Sequence, residues 1–479
     1  MKANELVFKS AVNTIINKKM LRHAVSSQLD KFIYNRIVVE KTTDLPLADI
    51  KMFQFLSAIL KTARINLDKG NVSPDVLRKM IHVVVRGDLK IKRSQKIGDI
   101  QIKFKERYKQ YPPQFIVLSP TQVCNLKCQG CYSSSDRTTN KSLPYNVVEK
   151  IMDDVYYLMG RKFVVISGGE PFMYKSEGKT LLNIFEKYND VFFLVYTNGT
   201  LLTPEVADKL ARLGNVTPAV SVEGFDKDTD TRRGKGVYKK ILALFENLRQ
   251  TGVPFGISVT ATSKNLNILL SEKFYDYYFN ELGASYMWQF QIMPIGRSKE
   301  TFDLVVNPTD RVKLYRVWEK LLSDKKYPVA DFWNSGVLSG GCIAYGRWGG
   351  YLYIDWNGNI MPCVFVPYYV DNIMELYRRG KTLGDALLSD FMKNGQKWHK
   401  KYFAGHKNGL MPCSIRDHYD NFRKNILTES AKGEDKEAEE ILHSSEYYEF
   451  MKKYDKELEQ LTDKIWGNEY LKFEKKPIQ

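Results

Sequence analysis

Cysteine is scarce in this chain, with six in 479 residues. That number excludes a disulfide-built scaffold at this length. Histidine is equally scarce, also six. The one place where cysteines crowd together, Cys124 to Cys131, has no histidine nearer in sequence than His82. A four-ligand zinc claw of the usual kind therefore lacks its fourth residue there. Long hydrophobic runs are missing as well. The longest apolar-leaning stretch, 45–60, contains Asp49 and Lys51 and falls short of the roughly 20 residues a membrane span needs. The first residues have no uninterrupted apolar core followed by small residues, so no secretory signal is expected and the chain is expected in the cytoplasm. Fixed-period repeats and low-complexity tracts are also absent.

What is present is an ordinary globular composition, 43% apolar and 27% charged, long enough for two or three domains. The net charge is +17 and lies mostly at one end. Residues 1–110 hold 23 Lys and Arg against 10 Asp and Glu, a net of +13. Such a region suits a phospholipid surface, nucleic acid or an acidic peptide, or is simply a basic, soluble face. Nucleic acid is not expected, because only the charge favours it and no RNA-binding module is recognisable. Within residues 1–30, Phe8, Ala11, Val12, Ile15, Ile16 and Met20 form an apolar side flanked by Lys9, Lys18, Lys19 and Arg22. A helix of that kind docks on its own protein or lies in an anionic membrane interface. Residues 46–66 and 73–86 also read as helical, and 88–110 as a basic, extended or hairpin-like connector.

From about 113 to 300, short β-branched and aromatic runs alternate with helical stretches. Strands are expected at 115–119, 163–167, 191–196, 217–222, 254–261 and 286–292. Helices are expected at 144–158, 178–188, 204–213, 236–251, 267–281 and 308–324. Thr203 and Pro204 punctuate the third helix as N-cap and first helical residue. Six β/α units predict an α/β fold, a partial (β/α)6 barrel, with active residues at the C-terminal ends of its strands. The alternation stops after 340. There YLYIDWNGNIMPC (351–363) reads as a hairpin about Asn357–Gly358. The expected organisation is a basic, mainly helical region (1–110), the barrel (111–325), a small hairpin-containing extension (326–428) and a charged helical segment (429–479). Leu442, Tyr447, Phe450 and Met451 give that last segment a partial apolar stripe.

Cys124, Cys128 and Cys131 form a C-x3-C-x2-C run directly after the first strand. Three thiolates so close can hold three irons of a [4Fe–4S] cluster and leave the fourth open. The second strand runs into VVISGGEP (164–171), where Gly168 and Gly169 permit close backbone approach and Glu170 adds a carboxylate. The third ends in VYTNGT (195–200), and the fourth in VSVEGFDKDTDTRRGKGVY (220–238). In this order and on these elements, the motifs resemble those of the radical S-adenosylmethionine (radical SAM) superfamily. The resemblance covers roughly 113–415. It implies that Gly168, Gly169 and Glu170 contact the methionine amine of SAM. It places Asn198 in the cofactor pocket, Ser221 near the ribose, and Arg233 (or Arg232) near the carboxylate. Glu223 stands where the family usually has Asp. Gly130 stands where an aromatic residue is preferred, so Tyr132 is expected near the adenine. Ser258, Thr260 and Gln291 are expected to add to the cavity.

The remaining cysteines follow the pattern Cys342-x15-Gly358-x4-Cys363, with Cys413 further on. That pattern resembles the start of the SPASM/twitch extension, which binds auxiliary [4Fe–4S] clusters. Three cysteines rule out two further clusters but allow one, with Asp417 or His418 as a candidate fourth ligand. The plain alternative is three separate buried thiols.

The resemblance implies reductive cleavage of SAM at the first cluster, fed by a one-electron reductant such as flavodoxin or ferredoxin. The resulting 5′-deoxyadenosyl radical would abstract hydrogen from an unactivated C–H bond. The catalytic groups beyond the cofactors are not legible. The basic amphipathic start suggests a membrane-associated lipid substrate and a peripheral location. A peptide-modifying maturase is the alternative, though residues 1–110 lack the strand pattern of its usual peptide-binding domain. A non-catalytic metal-bound scaffold would need the GGEP and TNGT segments to have lost their role.

Overall fold

The computed structural model describes residues 14–89, 95–299 and 301–473. Phe8, Ala11 and Val12 of the expected N-terminal helix lie outside these residues. Eight strands run parallel: β1 (Phe115–Leu118), β2 (Phe163–Ile166), β3 (Phe192–Thr197), β4 (Val216–Val222), β5 (Gly256–Ala261), β6 (Tyr286–Gln291), β7 (Val329–Asp331) and β8 (Tyr351–Ile354). The first six are the strands expected from the sequence. Their order is β8-β1-β2-β3-β4-β5-β6-β7, and the antiparallel strands β9 (Asn359–Met361) and β10 (Asp371–Asn372) extend the β8 edge. The hairpin about Asn357–Gly358 is thus part of the main sheet, paired in parallel register with β1 from Phe115–Tyr351 to Leu118–Ile354.

Side chains alternate across a strand, so one face carries Val117, Val165, Tyr196, Ser221, Thr260 and Phe290. All six line a single cavity. A flat sheet of that width would spread them over roughly 25 Å at about 4.8 Å per strand, so the sheet is curled into an open barrel. The opposite face is covered by crossover helices. Among them are α5 (Tyr145–Asp153), α7 (Pro204–Leu213) and α9 (Val237–Thr251), which bury Val148, Ile151, Leu210, Ile241 and Phe245. Helix α7 starts as expected: the Thr203 hydroxyl accepts from the Val206 N–H at 3.4 Å. It stops at Gly214 in the left-handed region, φ 67°.

Ahead of the barrel lie α1 (Lys19–Tyr34), α2 (Pro46–Asp68), α3 (Pro74–Leu89) and α4 (Gln95–Tyr108). The last corrects the expected extended connector. The alternation in QIKFKERYK imitates a strand, yet Ile100, Phe104 and Tyr108 also fall at helical spacing, with Phe104 and Tyr108 buried. The Tyr108 hydroxyl meets Thr382 Oγ1 at 2.7 Å. Lys51, which interrupts the apolar stretch of α2, is itself buried: Nζ donates to the hydroxyls of Tyr315 (2.7 Å) and Tyr470 (2.6 Å) and to Glu319. It ties the first helices to both α11 (Pro308–Lys320) and the end of the chain. In the C-terminal helix Ser445–Ile465, Tyr447, Met451, Tyr454 and Leu458 are buried at helical spacing. No helix among the described residues is long and apolar enough to cross a membrane.

Candidate functional site

The cavity inside the barrel measures about 280 Å³. At the C-terminal ends of the strands it is walled by the loop that carries Cys124, Cys128 and Cys131, by Gly168 and Gly169, and by Asn198, Ser221 and Arg233. Sequence-distant motifs therefore meet at one wall. Tyr132 also faces the cavity, its hydroxyl 2.9 Å from Ser167 Oγ and its ring edge-on to Phe365.

The two glycines do something the sequence did not reveal. A Cβ on Gly169 would stand 2.3 Å from the carbonyl oxygen of Gln122 and 2.4 Å from that of Val123. One on Gly168, at φ +124°, would stand 2.5 Å from the oxygen of Thr121. The bare backbone lets the strand end lie flush on the cysteine loop. The Gly169 N–H donates to Thr121 O at 2.9 Å and the Glu170 N–H to Val123 O at 2.8 Å. Glu170 is fully buried and is not on the cavity wall. Its carboxylate accepts from Thr197 Oγ1 (2.7 Å), the Asn198 N–H (2.7 Å) and the Phe172 N–H (3.2 Å). Burial outweighs these donors and pushes its acid constant up to about 7. The side chain expected to reach the cofactor amine instead braces β3 against the loop.

Asn198 continues the brace. Its Nδ2 donates to Asn125 Oδ1 at 2.8 Å and lies 3.8 Å from Cys124 Sγ. Arg233 donates through Nε (2.9 Å) and Nη2 (2.5 Å) to Glu223 Oε1, which also accepts from Arg232 Nη1 at 2.5 Å. Arg233 Nη1 is 4.0 Å from Cys128 Sγ. Glu223, the departure from the family's usual Asp, thus holds both arginines against the cysteine loop on the short helix Asp226–Arg233. Arg297 is a residue that sequence reading missed. Its guanidinium donates to the carbonyls of Cys128 (2.8 Å), Ser134 (3.0 Å) and Ser135 (2.9 Å), and its N–H donates to Cys131 O at 3.1 Å. Only folding brings the segment after β6 beneath residues 128–135, so no local signal marks it.

Burial also pushes the Cys124 thiol up to about 12 and raises that of Cys128. Thiols so disposed are held neutral unless a cation claims them. Among the described residues no three Cys, His, Asp or Glu side chains converge as they would on a single ion. A cubane is a different demand, since each thiolate binds its own iron and the sulfurs stand apart. Ser258, Thr260 and Gln291 line the cavity too. Both amide atoms of Gln291 are buried without a hydrogen-bond partner, as a binding site awaiting a polar ligand requires.

Cys342, Cys363 and Cys413 come from three separate segments. Cys413 feels both other thiols and Cys363 feels Cys342, and all three act on the buried Tyr345. Burial raises all three, Cys363 to about 12. The Tyr351 hydroxyl lies 2.9 Å from Cys363 Sγ, and Tyr351 is also a cavity residue, so one side chain separates this group from the barrel interior. Of the candidate fourth ligands, Asp417 is otherwise engaged and His418 uses only one ring nitrogen. Asp417 is fully buried, accepting from Arg311 Nη1 (2.5 Å) and Nη2 (3.1 Å) and from the Cys413 N–H (3.0 Å). His418 Nε2 meets the Met411 carbonyl at 3.0 Å.

An open parallel barrel whose strand ends carry a three-cysteine loop, a GGE turn and an arginine pair around one cavity defines a class of enzyme that activates SAM. Residues 118–265 match the Radical SAM superfamily, and the chain is an enzyme that carries this domain with a C-terminal extension. Its cofactors are a [4Fe–4S] cluster and SAM. An AdoMet-dependent heme synthase of Methanosarcina barkeri is 27% identical over 55% of this chain and 80% of its own. The mycofactocin maturase MftC of Mycolicibacterium smegmatis is 29% identical over 47% and 56%. Among solved structures, SuiB of Streptococcus suis bound to precursor peptide SuiA aligns at TM-score 0.49 and 18% identity, over 62% of this chain and 70% of the other.

Proposed function

We propose that Cys124, Cys128 and Cys131 hold the [4Fe–4S] cluster and that Gly168, Gly169, Asn198, Ser221, Arg233 and Tyr132 receive SAM beside it. The enzyme then abstracts hydrogen from an unactivated C–H bond. The observation that carries this reading is the gathering of the three thiols, the glycine pair and both arginines on one wall of the barrel cavity. When bound, the cluster and SAM supply a 5′-deoxyadenosyl radical by reductive cleavage of a sulfonium C–S bond. The chain's own part is to fix and to exclude. Glu223 orients the two guanidiniums toward the site. Glu170 and Asn198 keep the cysteine loop in register with β2 and β3, and Arg297 clamps the carbonyls of the loop from below. The apolar barrel wall keeps water from a reactive carbon centre. An electron reaches the site from a one-electron donor such as flavodoxin or ferredoxin.

Cys342, Cys363 and Cys413 are assigned to one auxiliary [4Fe–4S] cluster, supported by their mutual proximity and shared burial. Asp417, whose carboxylate is spent on Arg311 and the Cys413 N–H, is not its fourth ligand, whereas His418 could supply Nδ1. The substrate is assigned as a membrane-associated lipid. Two features support this: the largely apolar cavity wall, and a first helix that exposes Met20 (87%) and Phe32 (66%) among Lys18, Lys19 and Lys31. A second reading, peptide maturation, is favoured by the likeness to the mycofactocin maturase. The test is iron and sulfide content of anaerobically reconstituted protein, together with 5′-deoxyadenosine formed after reduction. About eight irons with SAM cleavage fit the two-cluster enzyme, and about four would remove the auxiliary cluster. Absence of both iron and cleavage refutes the assignment.

A further inference from the structure

The barrel cavity does not end at the cysteine loop. It continues to Phe115 and Phe163, the first residues of β1 and β2. Parallel barrels usually fill this space with side chains. From Phe163 to Gly168 the chain advances five residues, roughly 16 Å at about 3.3 Å per residue. The hollow therefore has two ends of different chemistry. At the cysteine end stand Ser221, Ser258, Thr260 and the arginines. At the inner end stand Phe115, Val117, Phe163, Val165 and Leu194.

We propose that this inner end is a binding subsite for a saturated hydrocarbon chain, with Gln291 anchoring the polar group at the head of that chain. The inference rests on the reading given under Proposed function and specifies its substrate. Three observations carry it. Among the described residues, the only charged ones on the cavity wall are Arg232 and Arg233, and both are held by Glu223 at the far end. A ligand with several carboxylates would therefore find no cation at the inner end. A peptide would bring backbone N–H and C=O groups, while the strand backbone around this end is already spent on the sheet. The Gln291 amide, buried and without partners, can donate to one oxygen of a carboxyl, ester or amide and accept from a neighbouring donor. A chain with one polar head meets each of these conditions.

The test uses full-length, anaerobically reconstituted protein with saturating SAM, and measures equilibrium binding of radiolabelled stearate below its micelle concentration. Iron content and 5′-deoxyadenosine formation are recorded on the same sample. Saturable binding is expected, and Leu194→Trp, which fills the subsite, is expected to raise the Kd about tenfold. Phe32→Asp, on the exposed first helix, is expected to leave the Kd as in the wild type. If Leu194→Trp fails the circular-dichroism check of folding, Phe163→Ala is read instead. That enlargement is expected to shift the preference toward longer chains, and an unchanged chain-length preference overturns the proposal. It is also overturned by absent stearate binding, or by binding that Phe32→Asp removes and Leu194→Trp leaves intact, which would be surface adsorption. Iron and SAM cleavage without stearate binding sink this inference alone, whereas loss of iron and cleavage sinks the reading on which it rests.

Discussion

The two cysteine groups are built in opposite ways. The first three thiols lie within eight residues of one loop, and the fold's work is to bring other parts to them: the glycines of β2, Asn198 after β3, the arginines after β4 and Arg297 after β6. The second three are spread over 72 positions, 342 to 413. Cys342 and Cys363 flank the β8–β9 hairpin, and the Tyr345 hydroxyl, 2.6 Å from Ser414 Oγ, holds the Cys413 segment against it. A local claw needs bracing, whereas a dispersed one needs distant segments packed together. Damage to the first should therefore be chemical and damage to the second partly structural.

The largest effect is expected from Cys124→Ala. Removing one of three thiolates should reduce 5′-deoxyadenosine formation to background, measured by chromatography after reduction. Turnover at the wild-type rate would contradict the site. Cys363→Ala should take iron from about eight to about four per chain while uncoupled SAM cleavage persists; unchanged iron, read by a colorimetric assay, would erase the contrast between the groups. Asp417→Asn probes the scaffold of the second group. Arg311 would be left with an uncompensated buried charge, at a cost of about 3–5 kcal/mol. Chemical denaturation should show that loss, and a stability within 1 kcal/mol (about the error of such a comparison) would mean that the pair does not support the Cys413 loop.

The smallest effect is a pH slope. Glu170 has its folded acid constant raised by burial, from an ordinary 4.5 to about 7. Between those values the folded state holds the proton more tightly than the unfolded chain, so this group's contribution to stability declines as pH rises through the window. Glu170→Gln should flatten that part of the profile in apo protein, followed by thermal melts from pH 4.5 to 7.5 (a span chosen to bracket the window). A slope identical to that of the wild type would show that Glu170 does not titrate there.

Much of this was legible in sequence because it is local. The apolar runs at 115–118 and 163–166 and the Thr203–Pro204 cap depend on a few neighbouring residues, and the Asn357–Gly358 turn does too. The misread segment, 95–108, carries two periodicities at once: IKFK alternates like a strand, and Ile100, Phe104 and Tyr108 repeat like a helix. Only the neighbouring Thr382 and Gly384, against which Tyr108 packs, decide between them. Glu170 could be singled out by its motif, but its direction could not. That depends on Thr197 and Asn198, which arrive from the next strand.

The sequence by itself determined the chemistry: thiolate spacing, a glycine pair at the end of the second strand, and strands whose alternate residues face inward. These are properties of residue type and of short-range geometry. The tertiary structure alone decided which groups face the cavity and which are spent on bracing it. It alone gathered Cys342, Cys363 and Cys413, and it left an apolar hollow beneath the cysteine loop. Those outcomes depend on the curl of the sheet, the closure of β8 onto β1 and the seating of the Cys413 segment against the β8–β9 hairpin. They are set by contacts between residues tens to hundreds of positions apart, which no local pattern encodes.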